Sequence, residues 1–257
     1  MAFNTPIQNW SGRVVWVVGA SSGIGLAVAK ALADKGAYVA VSARSAEPLN
    51  AFVMQTSHAL ALPVDVTDAQ AVRQAADQLR QHYGRLDQVV YCAGIYKSLR
   101  ATEFDLDVLS THWQVNYQGA LHVLNAVLAG FNQAKSGHIT LVSSVAGFAG
   151  LPQSLAYGPT KAALSHLAEI LYLDLVGAGI GVSVVHPGFV ETPLTAQNQF
   201  PMPAMVSTAQ AAQAILQGWE SGRFEIHFPR RFTWAMKVLR CLPYRLRFAL
   251  VRRITGL

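Results

Sequence analysis

Short apolar runs rich in β-branched residues alternate with segments of helical periodicity over most of the chain. The first run is Val14–Val18, which stops at Gly19 and is followed by a helical stretch of small residues at about 24–35. Parallel strands covered by helices on both faces appear as continuous apolar runs. Further strands are predicted at 38–42, 59–63, 88–92, 138–143, 181–186 and 224–228, and further helices at 48–56, 68–82, 110–132, 156–176 and 208–220.

This alternation predicts an α/β fold: a doubly wound, Rossmann-type, seven-stranded parallel sheet with helices on both faces. Right-handed crossovers place ligands at the carboxyl ends of the strands, so functional residues are expected there. The helix predicted at 68–82 begins at Asp68, whose charge suits a helix N-terminus. A long irregular connection at 189–206, which contains three prolines, is predicted to be a lid over the substrate.

Composition fits one intracellular domain. A chain of 257 residues that is 52% hydrophobic can bury a large core, and we expect 1–257 to form a single domain. Residues 1–10 lack the pattern of a secretion signal, and no run of about 18 apolar residues is present. We therefore expect a cytoplasmic protein. Cys92 and Cys241 have no spacing typical of a disulfide framework or a metal site, and both are expected to be buried thiols.

The net charge of +6 comes from the last part of the chain. Residues 1–229 hold 12 basic and 14 acidic residues, whereas 230–257 hold 8 basic residues and no acidic ones. Apolar residues recur there at helical spacing, which predicts a basic amphipathic helical extension. Two interpretations stay open: packing on the domain as a longer pocket wall, which we favour, or peripheral contact with an anionic membrane. Nucleic-acid binding is not expected, because no recognised motif accompanies the charge.

A glycine-rich segment directly follows the first strand and opens the first helix. Glycines at such a position permit a tight turn and close backbone approach, and the helix N-terminus presents unpaired N–H groups to a pyrophosphate. This context predicts dinucleotide binding rather than turn chemistry alone. The residues expected to contact the cofactor here are Gly19, Ser21, Ser22, Gly23, Ile24 and Gly25.

The end of the second strand indicates which dinucleotide is bound. An NAD-selective site is expected to place a carboxylate there for the ribose hydroxyls, but this chain has Ser42 and Arg44 instead. A guanidinium can pair with a 2′-phosphate, and the Ser42 hydroxyl is expected to assist, so we predict NADP. After the third strand, Asp65 and Val66 are predicted to meet the adenine, although Asp65 could instead cap the following helix.

Tyr157 and Lys161 lie four residues apart near the start of a predicted helix, and therefore on one face. A free tyrosine, with a pKa of about 10, is a poor proton donor or acceptor at neutral pH. A nearby ammonium and an oxidised nicotinamide are expected to lower the pKa of Tyr157 into working range. Taken alone, the same spacing also fits an ordinary amphipathic helix start.

Further motifs accompany this pair. Ser144 lies thirteen positions before Tyr157 and follows the fifth predicted strand, Asn116 lies within a predicted helix, and Pro187 and Gly188 follow the sixth strand. In this order and spacing the chain resembles the short-chain dehydrogenase/reductase family in its common single-domain form. The resemblance covers nearly all of the chain up to residue 229.

The resemblance implies a role for each motif. Tyr157 would donate a proton to a carbonyl as hydride arrives from the cofactor, and Lys161 would also bind the nicotinamide ribose. Ser144 would orient and polarise the substrate oxygen, and Asn116 would hold a water that connects the lysine to solvent. Structural alternatives are a turn at Ser144 and a capped bend at Asn116. The stretch expected to grip the nicotinamide carboxamide contains Pro187, Gly188, Val190 and Thr192.

One motif departs from the family. Relatives usually carry Asn-Asn-Ala-Gly after the fourth strand, whereas this chain has Tyr91, Cys92, Ala93 and Gly94. Gly94 still permits close approach of the cofactor, but the missing amide puts local rigidity in doubt. We interpret Cys92 as a small buried hydrophobe beside the cofactor rather than a redox-sensitive thiol.

These residues favour an NADP(H)-dependent reductase of an apolar or lipid-like ketone or aldehyde. Two alternatives remain: an NADP-dependent alcohol or hydroxysteroid-type dehydrogenase, and a cofactor-sensing binding protein that has lost catalysis. Relatives commonly dimerise through the helices that hold Asn116 and Tyr157, so a homodimer is expected. The substrate pocket is predicted to involve residues 96–99, 149–154 and 189–206.

Overall fold

Seven parallel strands form one sheet at the centre of the computed structural model, which describes residues 2–198 and 202–256. Their order is β3-β2-β1-β4-β5-β6-β7, which confirms the predicted doubly wound sheet. The strands are β1 Val14–Val18, β2 Tyr38–Ser42, β3 Ala59–Ala61, β4 Gln88–Tyr91, β5 Gly137–Val142, β6 Ile180–Pro187 and β7 Glu225–Phe228. The helices are α1 Gly23–Asp34, α2 Ala46–Met54, α3 Ala69–Tyr83, α4 Leu106–Trp113, α5 Gly119–Ala134, α6 Tyr157–Leu175, α7 Thr208–Glu220, α8 Arg230–Cys241 and α9 Tyr244–Thr255.

The centre of the sheet is buried on both faces, and β1 is apolar and buried at every position. In β1, Trp16 and Val18 pack with α3, α5 and α6, whereas Val15 and Val17 pack with α1, α2 and α7. Alternate side chains of a strand point to opposite faces, so each strand contributes to two cores. Strand β1 pairs with both β2 and β4, which brings their carboxyl ends to one edge.

The helix predicted at 110–132 differs in detail. It begins earlier, as α4, and is interrupted by a π-helical turn at Gln114–Gln118 before continuing as α5. Asn116 lies in this turn, and such insertions often occur at functional sites.

Asp68 caps α3 as predicted, with its carboxylate accepting hydrogen bonds from the N–H groups of Gln70 and Ala71. Asp65 does not cap α3, since its carboxylate accepts from Thr67 instead.

The predicted basic extension forms two helices. Helix α8 packs through Phe232, Met236 and Leu239 against Val145 and Phe148. Helix α9 contains no buried residue. Within residues 2–198 and 202–256, no helix is long and apolar enough to cross a membrane. Of the predicted lid at 189–206, residues 199–201 lie outside the described residues.

Candidate active site

A cavity of about 880 Å³ opens at the carboxyl ends of the strands. It collects residues from the glycine-rich segment, the loops after β2 to β6 and the start of α6, which lie far apart in sequence. The predicted site residues that line it are Gly19, Ser21, Ser22, Gly23, Ile24, Gly25, Arg44, Asp65, Val66, Cys92, Ala93, Gly94, Ser144, Tyr157, Lys161, Pro187, Gly188, Val190 and Thr192. We refer to this cavity as the cleft.

The glycine-rich segment forms a backbone cradle, in which the positions of Gly19 and Gly25 have no room for a side chain. Gly19 has a φ of +93°, and a Cβ there would lie 2.3 Å from the backbone nitrogen of Ala93. A Cβ on Gly25 would lie 2.1 Å from the carbonyl oxygen of Gly19. Ser22, at the N-cap of α1, makes no side-chain cap, so the N–H groups of Gly23 and Ile24 remain available to an anion at the cleft. These residues fit the pyrophosphate of a dinucleotide.

Ser42 corrects the prediction for the end of β2. Its side chain is fully buried, and its hydroxyl accepts a hydrogen bond of 2.9 Å from the indole N–H of Trp16. Ser42 therefore faces the core and does not line the cleft, so it is not positioned to assist a 2′-phosphate. Arg44 is exposed and lines the cleft, as predicted. Its neighbour Ser45, which was not predicted as a site residue, is also exposed and lines the cleft.

Asp65 and Val66 border the cleft next to Arg44. The backbone N–H of Thr67 has the largest effect on Asp65 and lowers the pKa of its carboxyl, with a smaller contribution from the Arg44 guanidinium. Asp65 is therefore ionised at neutral pH. Val66 is buried, and its carbonyl contacts the ring of His122 on α5. The segment predicted to contact the adenine is thus held against α5.

The start of α6 and the loop after β5 bring the three predicted catalytic side chains together. The ammonium of Lys161 lies 5.5 Å from the centre of the Tyr157 ring. It donates a hydrogen bond of 2.9 Å to the carbonyl of Val142, the last residue of β5. The Ser144 side chain is hydrogen-bonded to the phenol of Tyr157 and accepts a bond of 3.1 Å from the N–H of Ala146. A substrate oxygen can thus meet two hydroxyls.

Asn116 does not line the cleft but lies directly behind it, beside Lys161. Its side chain is fully buried: the amide oxygen accepts a 2.8 Å bond from the N–H of Ile95. The amide nitrogen donates to the carbonyl of Ile95 and to the hydroxyl of Thr160. The side chain therefore ties the loop after β4 to α6, beside Lys161.

Burial sets the protonation of the pair in the absence of nucleotide. Burial lowers the pKa of Lys161 to about 8 and raises the pKa of the Tyr157 phenol, an effect that the hydrogen bond from Ser144 only partly offsets. A low-dielectric site disfavours the charged form of each group. At neutral pH the phenol is therefore protonated, and Lys161 is a cation close to its titration range.

Cys92 supports the glycine-rich segment. Burial raises the pKa of its thiol to about 11, although its sulfur accepts a hydrogen bond from the backbone N–H of Gly25. The sulfur thus connects the end of β4 to the start of α1, which partly replaces the amide that relatives carry. A protonated thiol is a weak nucleophile, so Cys92 fits the structural interpretation. The expectation of burial is wrong for Cys241, which is exposed.

The far end of the cleft is apolar. The ring of Tyr96 meets that of Tyr157 edge to face, with centroids 5.3 Å apart. Residues of the predicted substrate pocket that line the cleft include Leu151, Ser154 and Leu194, whereas Leu99 does not. The extension adds a wall that confirms the packing interpretation for α8. The residues of α8 and α9 that line the cleft are Phe232, Ala235, Met236, Leu239, Leu250, Val251, Ile254 and Thr255.

Comparison with known proteins places this geometry in a family. A family model described as short chain dehydrogenase matches residues 13–201. A Myxococcus xanthus protein named an uncharacterized oxidoreductase is 36% identical over 248 residues, which cover 95% of this chain and 98% of the relative. The chain belongs to the short-chain dehydrogenase family. It is therefore an NAD(P)-dependent oxidoreductase.

Solved structures of short-chain dehydrogenases share the fold. The enzyme from Streptomyces avermitilis has a TM-score of 0.81 and 25% sequence identity, and the match covers 96% of this chain and 98% of that one. A short chain dehydrogenase from Burkholderia cenocepacia, solved in complex with NADP, has a TM-score of 0.82 with the same coverage. At 23% identity, the second likeness shows the fold alone.

Substitution of Gly25 tests the cradle. Gly25→Ala forces a Cβ against the carbonyl oxygen of Gly19, so we expect about 3 kcal/mol of lost stability and loss of nucleotide binding. Gly130→Ala in α5 is the matched control, because a Cβ there meets nothing within 4 Å. It should leave stability unchanged or raise it by up to about 1 kcal/mol. Urea unfolding and nucleotide titration measure both; equal behaviour of the two variants would contradict the cradle.

Proposed function

We propose that this short-chain dehydrogenase is an NADP(H)-dependent reductase of an apolar, lipid-like ketone or aldehyde. The observation that carries the proposal is the protonated Tyr157 phenol, hydrogen-bonded to Ser144 at the wall of an apolar cleft. A reductase needs a proton donor at the carbonyl oxygen, and a phenol that is protonated at neutral pH carries the proton to be donated.

Arg44 supports the choice of NADP. Its guanidinium is exposed at the cleft directly after β2. The end of β2 carries no carboxylate that could accept hydrogen bonds from the ribose hydroxyls, since the neighbouring Asp65 follows β3 instead. A guanidinium offers planar, paired donors that match a phosphate. The NADP bound to the Burkholderia cenocepacia relative is consistent with this assignment.

The proposed mechanism assigns one task to each side chain. When bound, the reduced nicotinamide supplies a hydride to the carbonyl carbon. Tyr157 donates its proton to the carbonyl oxygen, which Ser144 holds within hydrogen-bonding distance of the phenol. The buried Lys161 cation stabilises the phenolate that remains, and Asn116 positions the two elements that flank Lys161.

The apolar end of the cleft supports a lipid-like substrate. Apolar side chains from α8, α9 and the loop after β6 surround it, and the described polar groups near Tyr157 are few. The buried Ser154 hydroxyl has no hydrogen-bond partner among the described residues and lines the cleft, so it is available to a polar group of the substrate. The alternative of oxidising an alcohol uses the same residues, with Tyr157 as the base, and turnover measured in both directions distinguishes the two.

We also propose that the enzyme is a cytoplasmic homodimer. Large apolar side chains of α4 and α6 are exposed on neighbouring surfaces, among them Trp113, Ile170 and Leu173. These helices adjoin Asn116 and Tyr157, where the family resemblance implies a dimer interface. Light scattering should give twice the mass of one chain for the wild type and a monomer for Leu173→Glu. A monomeric wild type, or a variant that stays dimeric, would contradict this interface.

Removal of the Tyr157 hydroxyl tests the acid. Tyr157→Phe should lower the rate of carbonyl reduction by about 10³-fold, because the proton donor is lost, while NADPH still binds. Tyr96→Phe removes a neighbouring hydroxyl from the same cleft and should change the rate by less than about tenfold. Absorbance of NADPH with a panel of apolar aldehydes and ketones provides the assay. Unchanged turnover in Tyr157→Phe would exclude the acid role.

Removal of the Arg44 guanidinium tests the cofactor. Arg44→Ala should weaken NADPH binding by about 10- to 100-fold and NADH binding by no more than about twofold, because only NADPH carries the 2′-phosphate. Arg73→Ala, on the exposed face of α3, is the matched control and should change neither. Fluorescence titration measures both affinities, and equal losses in Arg44→Ala would remove the phosphate role.

A further inference from the structure

Helix α9 carries an apolar surface that is largely exposed in the described chain. Leu246, Leu250 and Ile254 follow one another at intervals of four residues and therefore share one face of the helix. Their exposed fractions are 60%, 42% and 71%, and no residue of α9 is buried. We call these three residues the α9 stripe. A helix with such a face is stabilised by covering it.

Arginines border the α9 stripe on both sides. On a helix of 3.6 residues per turn, Arg253 lies next to Leu246 and Leu250 along one edge. Arg247 lies next to Leu250 and Ile254 along the other edge. The guanidinium of Arg247 lies over the ring of Tyr244, 4.5 Å from its centroid. An apolar strip between cationic and aromatic side chains matches the interface of a bilayer, where apolar groups enter the acyl region and arginines reach the headgroups.

The charge of the surrounding chain decides between the possible occupants. Residues 230–257 hold 8 basic residues and no acidic residue. A second copy seated on the same surface would bring like charges together, which opposes a symmetric contact. An anionic lipid surface attracts each basic residue near it, at about a fivefold gain in binding per residue. Nucleic acid would match the charge but leave the α9 stripe exposed to water.

Helix α9 borders the cleft, next to the anchored helix α8. Lys237 of α8 is paired with Glu225 of β7, and Phe232 and Met236 pack on the domain. From this anchored helix the chain turns at Pro243 into α9, whose Leu250 and Ile254 also line the cleft. The exposed stripe and the apolar end of the cleft are therefore adjacent.

From these observations we propose that α9 docks the protein on anionic membranes through the α9 stripe and its bordering arginines. Docking places the apolar end of the cleft against the bilayer. An apolar substrate would then enter from the lipid; this consequence rests on the proposed reductase activity, whereas docking itself does not.

Vesicle co-sedimentation of the full chain tests the docking. Wild-type protein should bind vesicles that contain phosphatidylglycerol, bind pure phosphatidylcholine vesicles at least tenfold more weakly, and lose most of the binding when salt is raised from about 0.05 M to 0.5 M. Leu246→Asp and Arg253→Glu should each weaken binding by about tenfold or more. Neither residue lines the cleft, so NADPH binding serves as the readout of folding for both.

Matched controls replace the same residue types elsewhere. Met54→Asp removes an exposed apolar side chain at the end of α2, and Arg73→Glu reverses an exposed charge on α3; both should bind vesicles like the wild type. The proposal is overturned if the wild type does not bind anionic vesicles, or if the control substitutions weaken binding as much as the α9 substitutions do. It is also overturned if the protein binds a DNA duplex but not vesicles. A loss of dimers in Leu246→Asp without a loss of vesicle binding would assign the stripe to a second copy. None of these outcomes depends on catalysis, so failure of docking leaves the proposed reductase activity standing.

Discussion

Burial of an amine beside a half-buried phenol is the constraint on which the site depends. Lys161 is almost completely enclosed, and its ammonium keeps one hydrogen bond, to the carbonyl that ends β5. The same enclosure raises the pKa of Tyr157 and lowers that of Lys161 to about 8, because both charged forms lose solvation. The protein therefore holds a neutral acid next to a cation, which is the state that begins reduction of a carbonyl.

The parallel sheet makes this enclosure possible. Each strand ends at the same edge, so the loops after β1, β4 and β5 supply the backbone cradle, the floor of the cleft and Ser144. Asn116 then joins the loop after β4 to α6 through its hydrogen bonds with Ile95 and Thr160. The extension completes the cleft with α8, and α9 continues the apolar wall to the surface.

Local rules predict much of this molecule and fail where tertiary packing decides. The apolar runs, the glycine-rich segment and the Tyr157–Lys161 spacing are local, so the sheet and nearly all of the cleft could be located from sequence. Ser42 could not, because its direction depends on the Trp16 indole across the sheet. The π-helical turn at Asn116 has no local signature, and the raised pKa of Tyr157 comes from burial by distant segments.

Titration of Tyr157 in the nucleotide-free protein tests most directly whether burial keeps its phenol protonated. With ¹³C-labelled tyrosine, the ring carbon that bears the hydroxyl reports ionisation, and the signal missing from Tyr157→Phe identifies the residue. Because burial raises the pKa of Tyr157, we expect this signal to remain that of a protonated phenol above pH 10, where an ordinary tyrosine ionises. Ionisation of Tyr157 at or below that pH would show that Lys161, and not burial, governs the phenol, and would contradict the account.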